Sequence, residues 1–255
     1  MDTIGQRIRI FRQKRNISQL DLEVSIAASG GTVSRIEHDR INPTKETILK
    51  IAKVLELNHK EVDYLIGFTS DEPTDSEIEK ACSVVDEYFS KKGVLAYLLD
   101  DRWVFQKISK FFPKILGVSV EESKRIIGKS TVQLFIDGSL PAVRFLDMDH
   151  YEEMLMNHIP YYYSQVYFRK NDPSVVATLH DIRKHDLASK IWNSIDHEVI
   201  YNPKEERIIH FNIKGFKVPT MYSREGLARY PRFEVVEYTP MNDVIKFLLK
   251  MVKSA

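Results

Sequence analysis

Residues 18–43 constrain this chain more than any other stretch, because they predict two short helices joined by a very tight turn. Ser18 precedes Asp21 by three positions, an arrangement typical of a helix start. The serine hydroxyl can accept an otherwise unpaired backbone N–H, and the acid lies in the positively polarised first turn. We therefore predict a helix over residues 19–26 and a break at residues 27–29, where two alanines precede a serine.

A second helix is predicted directly after that break. Ser29 can cap its start, and Val33, Ile36 and Glu37 recur at the spacings of three and four that place side chains on one helical face. Two short helices with a small turn between them form a helix-turn-helix.

The end of this stretch resembles the phage-repressor and Cro-like (XRE) family of helix-turn-helix proteins. The family pattern ends in Ser-x-Ile-Glu, a short gap and Asn-Pro, and the matching residues here are Ser34, Ile36, Glu37, Asn42 and Pro43. The resemblance implies that the second helix of the motif enters the major groove of double-stranded DNA while the first lies across the phosphate backbone. It implies the following DNA-binding residues: Gln19, Ser29, Gly30, Gly31, Thr32, Ser34, Arg35, His38 and Arg40.

Two departures from the family pattern affect this surface. Gly30 and Gly31 offer no side-chain donor or acceptor, so direct base readout would fall mainly on Arg35, which can bind guanine through two hydrogen bonds. Glu23 stands where the family usually has alanine, and we expect an acid there to face solvent. The alternative for this surface is that Arg35 and Arg40 only form a solvated charged face, with Glu37 pairing locally.

Helical patterns on both sides of the motif predict an all-α, five-helix head over residues 1–67. In the first helix an apolar stripe accompanies many basic residues, so we expect the arginines to stay in solvent. Thr44 and Asn58 are predicted caps of two later helices, and Glu61 completes a capping box with Asn58. The basic residues of the first helix are Arg7, Arg9, Arg12, Lys14 and Arg15.

The overall composition excludes several classes of protein. A net charge of +1 over 255 residues excludes a general polyanion binder, so contact with nucleic acid requires a local basic patch. The single cysteine, Cys82, excludes an internal disulfide and a cysteine-rich metal site. No apolar run approaches the roughly 18 residues of a membrane span, so we expect a cytoplasmic protein without membrane contact.

A second domain of mixed α+β class with an antiparallel sheet is predicted over residues 78–255. Residues 68–77 are polar, contain a proline and lack apolar periodicity, which indicates a linker. Helical patterns dominate residues 78–89 and 147–190. The remaining predictions are a hairpin over residues 94–108, strands over 198–201, 207–213 and 233–238, a loose segment over 219–231 and a closing helix over 244–252.

The start of this second domain resembles a PAS domain. The likeness rests on the hairpin, a helix ending in Leu116-Gly117, and Ile127-Gly128-Lys129 before the apolar pair Leu134-Phe135. The PAS family often has asparagine after the second strand, where this chain has Ser109.

The larger order of the second domain resembles the MmyB-like ligand-binding domain, a PAS-related module found behind repressor-type heads. The residues that carry this likeness are 134–137, 151–169, Ile191-Trp192, 197–199 and the late strand that ends at Tyr238. The resemblance implies a dimerising domain that binds a lipophilic, fatty-acid-like small molecule.

Aromatic and apolar side chains of this domain can line such a pocket, since ligand sites are mostly apolar. The same stripes at helical spacing can equally be core. The predicted ligand-binding residues are Phe135, Tyr151, Leu155, Ile159, Tyr162, Trp192 and Phe211.

The sequence contains no recognisable set of catalytic residues. His197-Glu198 begins like a zinc-protease motif, but the required second histidine is absent. No serine and lysine are selected by their spacing as a self-cleavage pair. We therefore expect no catalytic residue, no metal site and no cofactor. The predicted function is a DNA-binding transcriptional regulator that forms a homodimer and senses a lipophilic ligand; the alternative is a regulator whose second domain binds a partner protein and no small molecule.

Overall fold

The computed structural model describes residues 2–91, 93–140, 145–196, 208–213 and 215–241, and the chain divides into two compact units. The described part of the first unit consists of residues 2–72, 164–172 and Asp196. The second contains the described residues of 73–163, 173–195 and 208–241. The strand predicted over residues 198–201 and the helix predicted over 244–252 lie outside the described residues, and the predicted domain boundaries stay predictions.

The first unit is helical, as predicted. Ser18, Thr44 and Asn58 each accept the backbone N–H three residues further on, which confirms these predicted caps. Glu61 completes the capping box with Asn58. The five helices within residues 2–72 are α1 (Ile4–Lys14), α2 (Gln19–Ser25), α3 (Thr32–Glu37), α4 (Lys45–Val54) and α5 (His59–Leu65).

Close contact between α1 and α3 depends on a glycine. A Cβ added at Gly5 would lie 2.0 Å from the carbonyl oxygen of Ile36, so no other residue fits there without a shift of backbone. The Thr3 hydroxyl donates to Asp39 at 2.8 Å at the same contact. The start of α1 is thereby fixed against the end of α3.

The prediction that the arginines of α1 stay in solvent is wrong for most of them. Arg7 and Arg12 are only 8% and 9% exposed. Arg7 donates to the Tyr64 carbonyl at 3.0 Å, and Arg15 forms an ion pair with Glu61 at 2.9 Å. A guanidinium can be buried when acceptors lie around its fork of donors, and the helical pattern alone does not reveal acceptors that are distant in sequence.

The hydrophobic core of the first unit includes a residue from far along the chain. Phe168 is 2% exposed, and its ring centroid lies 5.6 Å from that of Phe11 and 5.0 Å from that of Tyr64. It belongs to residues 164–172, which we call the core-completing segment. This segment lies inside the range that the sequence assigns to the second domain, and its packing in the first unit was not predicted.

Polar contacts hold the core-completing segment at two further points. Arg169 is 2% exposed and donates to the Thr69 hydroxyl at 2.9 Å and also to the Thr69 carbonyl. Arg15 donates to the Tyr167 hydroxyl at 3.1 Å, and that hydroxyl donates to Glu61. Glu61 therefore links the cap of α5, the basic end of α1 and the core-completing segment.

The second unit is built on an antiparallel sheet. Its described strands are β1 (Ala96–Asp100), β2 (Phe105–Ile108), β3 (Ile208–Ile213), β4 (Phe216–Leu227) and β5 (Tyr230–Pro240), in the order β2-β1-β5-β4-β3. Its described helices are α6 (Asp75–Ser90), α7 (Phe111–Leu116), α8 (Val120–Ile126), α9 (Thr131–Ile136), α10 (Tyr151–Val166, of which the last residues from Ser164 belong to the first unit), α11 (Pro173–Lys184) and α12 (Asp186–Ser194). The chain is therefore multidomain, with a helical head and an α+β unit.

One prediction for the second unit is wrong. The segment over residues 219–231 is not a loose stretch but most of β4 and the start of β5. The two prolines that bound this stretch, Pro219 and Pro231, disfavour strands, but the side chains of β4 between them alternate in exposure as in a strand with one solvent face. Long pairing with β5 supplies the hydrogen bonds that maintain this strand.

α6 covers one face of the sheet. Ala81, Val85 and Phe89 of this helix form a buried cluster with Leu98 of β1 and Phe233 of β5. Across the described ranges, no helix combines the length and apolar character required to cross a membrane.

Truncating Phe168 to alanine should destabilise the first unit by about 3 to 5 kcal/mol, because it leaves a cavity among the aromatic rings of α1 and α5. Hydrogen exchange of the α1 and α5 amides measures this loss directly. Phe68→Ala, at a side chain that is 57% exposed, is the matched control. Equal protection of these amides in the two variants would contradict the packing described for the core-completing segment.

Candidate functional site

The turn between α2 and α3 differs from the predicted one in how the second helix starts. Gly31, not Ser29, is the N-cap residue, and it has a left-handed backbone with φ of 76°. Its lack of a Cβ permits this conformation. The Ser29 hydroxyl instead lies 3.0 Å from the Thr32 hydroxyl. Because glycine has no side chain, the cap of α3 must come from elsewhere.

Glu23 of α2 supplies this cap. Its carboxylate accepts the backbone N–H of Gly31 at 3.1 Å and that of Val33 at 2.8 Å. Glu23 is only 6% exposed, so the expectation that an acid at this position faces solvent is wrong. The unsatisfied N–H groups and the positive end of the helix dipole make burial of this carboxylate favourable. The Glu23 carboxylate therefore compensates for the capping side chain that Gly31 lacks.

A second buried carboxylate lies at the other end of α3. Glu37 accepts Nε and Nη2 of Arg12 at 2.6 and 2.9 Å, and it also accepts Nε2 of Gln19 at 2.7 Å. The acid thus joins α1, α2 and α3, and it does not pair with Arg35. This arrangement also occupies the side-chain amide of Gln19, for which the resemblance implies a phosphate contact.

The predicted base-reading residues lie together on the outer side of α3. Arg35 is exposed, whereas Thr32 and Ser34 are half-buried. Arg35 Nη2 donates to the Thr32 hydroxyl at 3.2 Å, which positions the guanidinium along the helix. His38 is exposed, and its Nδ1 lies 2.8 Å from the Ser34 carbonyl.

The rest of the predicted surface borders this helix. Gly30, Gly31 and Arg40 are exposed at the two ends of α3. Arg35 and Arg40 lie on the exposed side while Val33 and Ile36 are buried. The helix can therefore present donors to base edges and phosphates while its inner side is fixed by the core.

Sequence reasoning missed the three residues that position this helix, which are Glu23, Arg12 and Glu37. One signal for Glu23 was available: an acid that replaces the usual alanine occurs together with glycines where a capping side chain is expected. No local signal pairs Arg12 with Glu37, since 25 positions separate them.

The predicted ligand-binding residues of the second unit are mostly buried. Leu155, Ile159 and Tyr162 of α10 are fully buried at 0% exposure, and Phe135 and Phe211 are nearly so. Complete burial fits the core role that the sequence left open for them. Their assignment to a ligand site stays a prediction.

Contacts bring only some of these residues together. The Tyr151 hydroxyl donates to the Phe135 carbonyl at 2.9 Å. Trp192 packs edge-on against Tyr163 at 5.4 Å between ring centroids. Phe211 is placed on the sheet, where it packs against Tyr238 and Phe145.

A histidine outside the predicted set lies beside Phe135. The ring centroids of His158 and Phe135 are 4.9 Å apart, and His158 Nε2 lies 2.9 Å from the Thr131 hydroxyl. Burial lowers the pKa of His158 to about 3, and the positive charge of Arg224 acts in the same direction. The imidazole is therefore neutral at physiological pH and contributes a polar atom to an otherwise aromatic cluster.

Replacing Glu23 by alanine should destabilise the first unit by about 1 to 3 kcal/mol, because two backbone N–H groups at the start of α3 lose their acceptor. Glu23→Gln keeps an acceptor oxygen and should lose less. Hydrogen exchange at the amides of Gly31 and Val33 measures the effect, with Glu46→Ala on an exposed side chain of α4 as the control. If the amides of Gly31 and Val33 are equally protected from exchange in the Glu23→Ala and Glu46→Ala variants, Glu23 does not cap α3.

A comparison with protein families finds one domain in the first unit. Residues 8–62, less than half of the chain, match the family described as Helix-turn-helix. The matched range contains α2, α3 and α4 completely. A comparison with curated proteins finds no match to this chain. This match to a helix-turn-helix model supports an XRE-type, DNA-binding transcriptional regulator.

Proposed function

We propose that this chain is a cytoplasmic, sequence-specific transcriptional regulator that reads the DNA major groove with α3. The observation that carries this proposal is the division of α3 into a fixed side and an exposed side. Glu23 and Glu37 hold its two ends to α2 and α1, while Arg35 remains exposed beside Thr32. A rigid helix with an outward guanidinium suits bidentate contact to guanine.

Binding as a homodimer to a two-fold operator is part of the proposal. α3 has only six residues, and the two residues directly before it are glycines without side-chain donors. One such helix makes too few base contacts for selectivity within a genome. Two copies that bind half-sites about one helical turn apart would double these contacts.

For the second unit we propose a PAS-like domain that senses a lipophilic small molecule. Support comes from the order of its first elements: the hairpin of β1 and β2, then α7 with Gly117 as its left-handed C-cap, and then α9 with the Leu134-Phe135 pair. The buried rings of Phe135 and Trp103 both pack against His158, and a mostly aromatic lining with a few polar groups suits a small-molecule site. A ligand would act by favouring one dimer geometry over another.

A second candidate is a regulator whose second unit binds a partner protein and no small molecule. Ile208 on β3 faces Met221 on β4 in the sheet register, and these side chains are 45% and 48% exposed. Adjacent exposed apolar side chains near the edge of a sheet are typical of a surface that another chain covers.

Arg35→Ala should weaken binding to the operator by about 1 to 3 kcal/mol, because it removes the donor pair for guanine. Competition gel shifts with specific and random duplexes measure both affinity and preference. The matched control is Lys53→Ala, which removes an exposed cation from α4 outside the motif. Equal affinity and equal preference in both variants would rule out base readout by Arg35.

Native mass spectrometry of the full chain tests the other two parts of the proposal. We expect a dimer that carries additional mass, and an organic extract that contains a fatty-acid-like molecule. A dimer without any extractable or exchangeable apolar molecule would support the partner-binding candidate. A monomer, both free and on operator DNA, would contradict the dimer.

A further inference from the structure

A cluster of metal-ligating side chains lies in the second unit, away from the residues discussed for DNA or lipid. Asp147, His150 and His210 each offer one ligand atom, and these atoms lie within 4.8 Å of one another. None of the three has a role in the function proposed above. Two imidazoles and one carboxylate form a donor set typical of first-row transition metals.

The backbone brings these three residues together from distant positions. The Asp147 N–H donates to the His210 carbonyl at 3.0 Å, and Leu146 forms an isolated β-bridge with Phe211. Asp147 caps the 3-10 helix Met148–His150, which returns His150 towards the Asp147 carboxylate. The pairing with β3 fixes the acid against His210, and the short helix fixes it against His150. The cluster is therefore held by main-chain geometry.

The spacing of the Asp147 and His150 donors fits a shared ion. Two ligands that each lie about 2.1 Å from a metal, at about 90 to 110° from each other, are about 3.0 to 3.4 Å apart. The distance from Asp147 Oδ2 to His150 Nδ1 is 3.1 Å, within this range. The rings of His150 and His210 lie parallel, with centroids 4.1 Å apart and planes inclined by 8°. Because an imidazole nitrogen binds a metal in the plane of its ring, the His210 side chain must rotate out of this parallel arrangement to share the ion with His150.

Charge around the cluster is compatible with a divalent cation. The Asp147 side chain is 3% exposed, so its carboxylate is largely removed from water. Lys217 occupies the position of a competing cation, with Nζ 3.6 Å from Asp147 Oδ2 and in an ion pair with Asp149. The Lys217 side chain is 57% exposed and can turn into solvent while it keeps Asp149 as a partner. A divalent ion in place of this ammonium would put a larger positive charge beside the Asp147 carboxylate.

We propose that Asp147, His150 and His210 bind a divalent transition-metal ion such as Zn²⁺ and leave its remaining coordination position to water. With three protein ligands the site is of the open type. Because the ligands connect the 3-10 helix Met148–His150 to β3, ion binding would stabilise the second unit and would make the regulator sensitive to metal supply.

Calorimetric titration of the full, untagged chain with Zn²⁺ tests this proposal after metal has been removed by chelation. We expect saturable binding of one ion per chain. His210→Asn and His150→Gln should each weaken the affinity by more than about tenfold, since each loses one of three protein ligands. Lys217→Met should tighten the affinity, because it removes the competing cation. Titration with Co²⁺ should give a visible spectrum of a nitrogen and oxygen donor set.

The matched control is His180→Asn, because exposed His180 also lies beside an acid, with Nδ1 3.4 Å from Asp181. This variant should bind Zn²⁺ like the original chain. Fluorescence of Trp103 and Trp192, both in the second unit, checks that each variant is folded. The proposal is overturned if the original chain shows no saturable binding, or if folded His210→Asn and His150→Gln bind as tightly as His180→Asn.

Discussion

The bidentate ion pair between Arg12 and Glu37 is the interaction on which the DNA-binding head depends. Its donors and acceptors lie within 2.6 to 2.9 Å, and the Glu37 side chain is 0% exposed. Loss of one partner would leave a buried charge without compensation, at a cost of about 3 to 5 kcal/mol. The pair lies at the last residue of α3, so it fixes this end of the helix against α1. The addition of Gln19 extends the same constraint to α2.

Glu23 performs the corresponding task at the start of α3. An ordinary capping serine would satisfy the first N–H groups locally, but Gly31 cannot do so. The buried carboxylate of the preceding helix replaces the cap and ties the two helices of the motif to each other. Both acids place polar, directional contacts inside the head, where apolar packing alone would allow the helix to shift. Although α3 is short and follows two glycines, these contacts keep it well oriented.

Local features of the fold could be predicted from the sequence, because their causes are local. Ser18, Thr44 and Asn58 cap helices through atoms three residues away, and such spacing is visible in the chain. The burial of Arg12 and the position of Phe168 in the head core were not predictable in this way. Each depends on a partner that only folding brings near, such as Phe11 for Phe168. The strand over residues 219–227 was not predicted, because Pro219 disfavours a strand and the hydrogen bonds that stabilise this segment come from β5.

The same distinction holds for the candidate site. The outward residues of α3 follow from helical spacing and from the family resemblance, whereas the acids that orient them follow from tertiary contacts. We propose that this oriented helix reads DNA sequence as part of a symmetric dimer. Selection of bound duplexes from a random pool by the full chain tests this proposal. We expect an enriched inverted repeat with a guanine in each half-site and half-site centres about one helical turn apart. A bound pool that remains as random as the starting pool would contradict it.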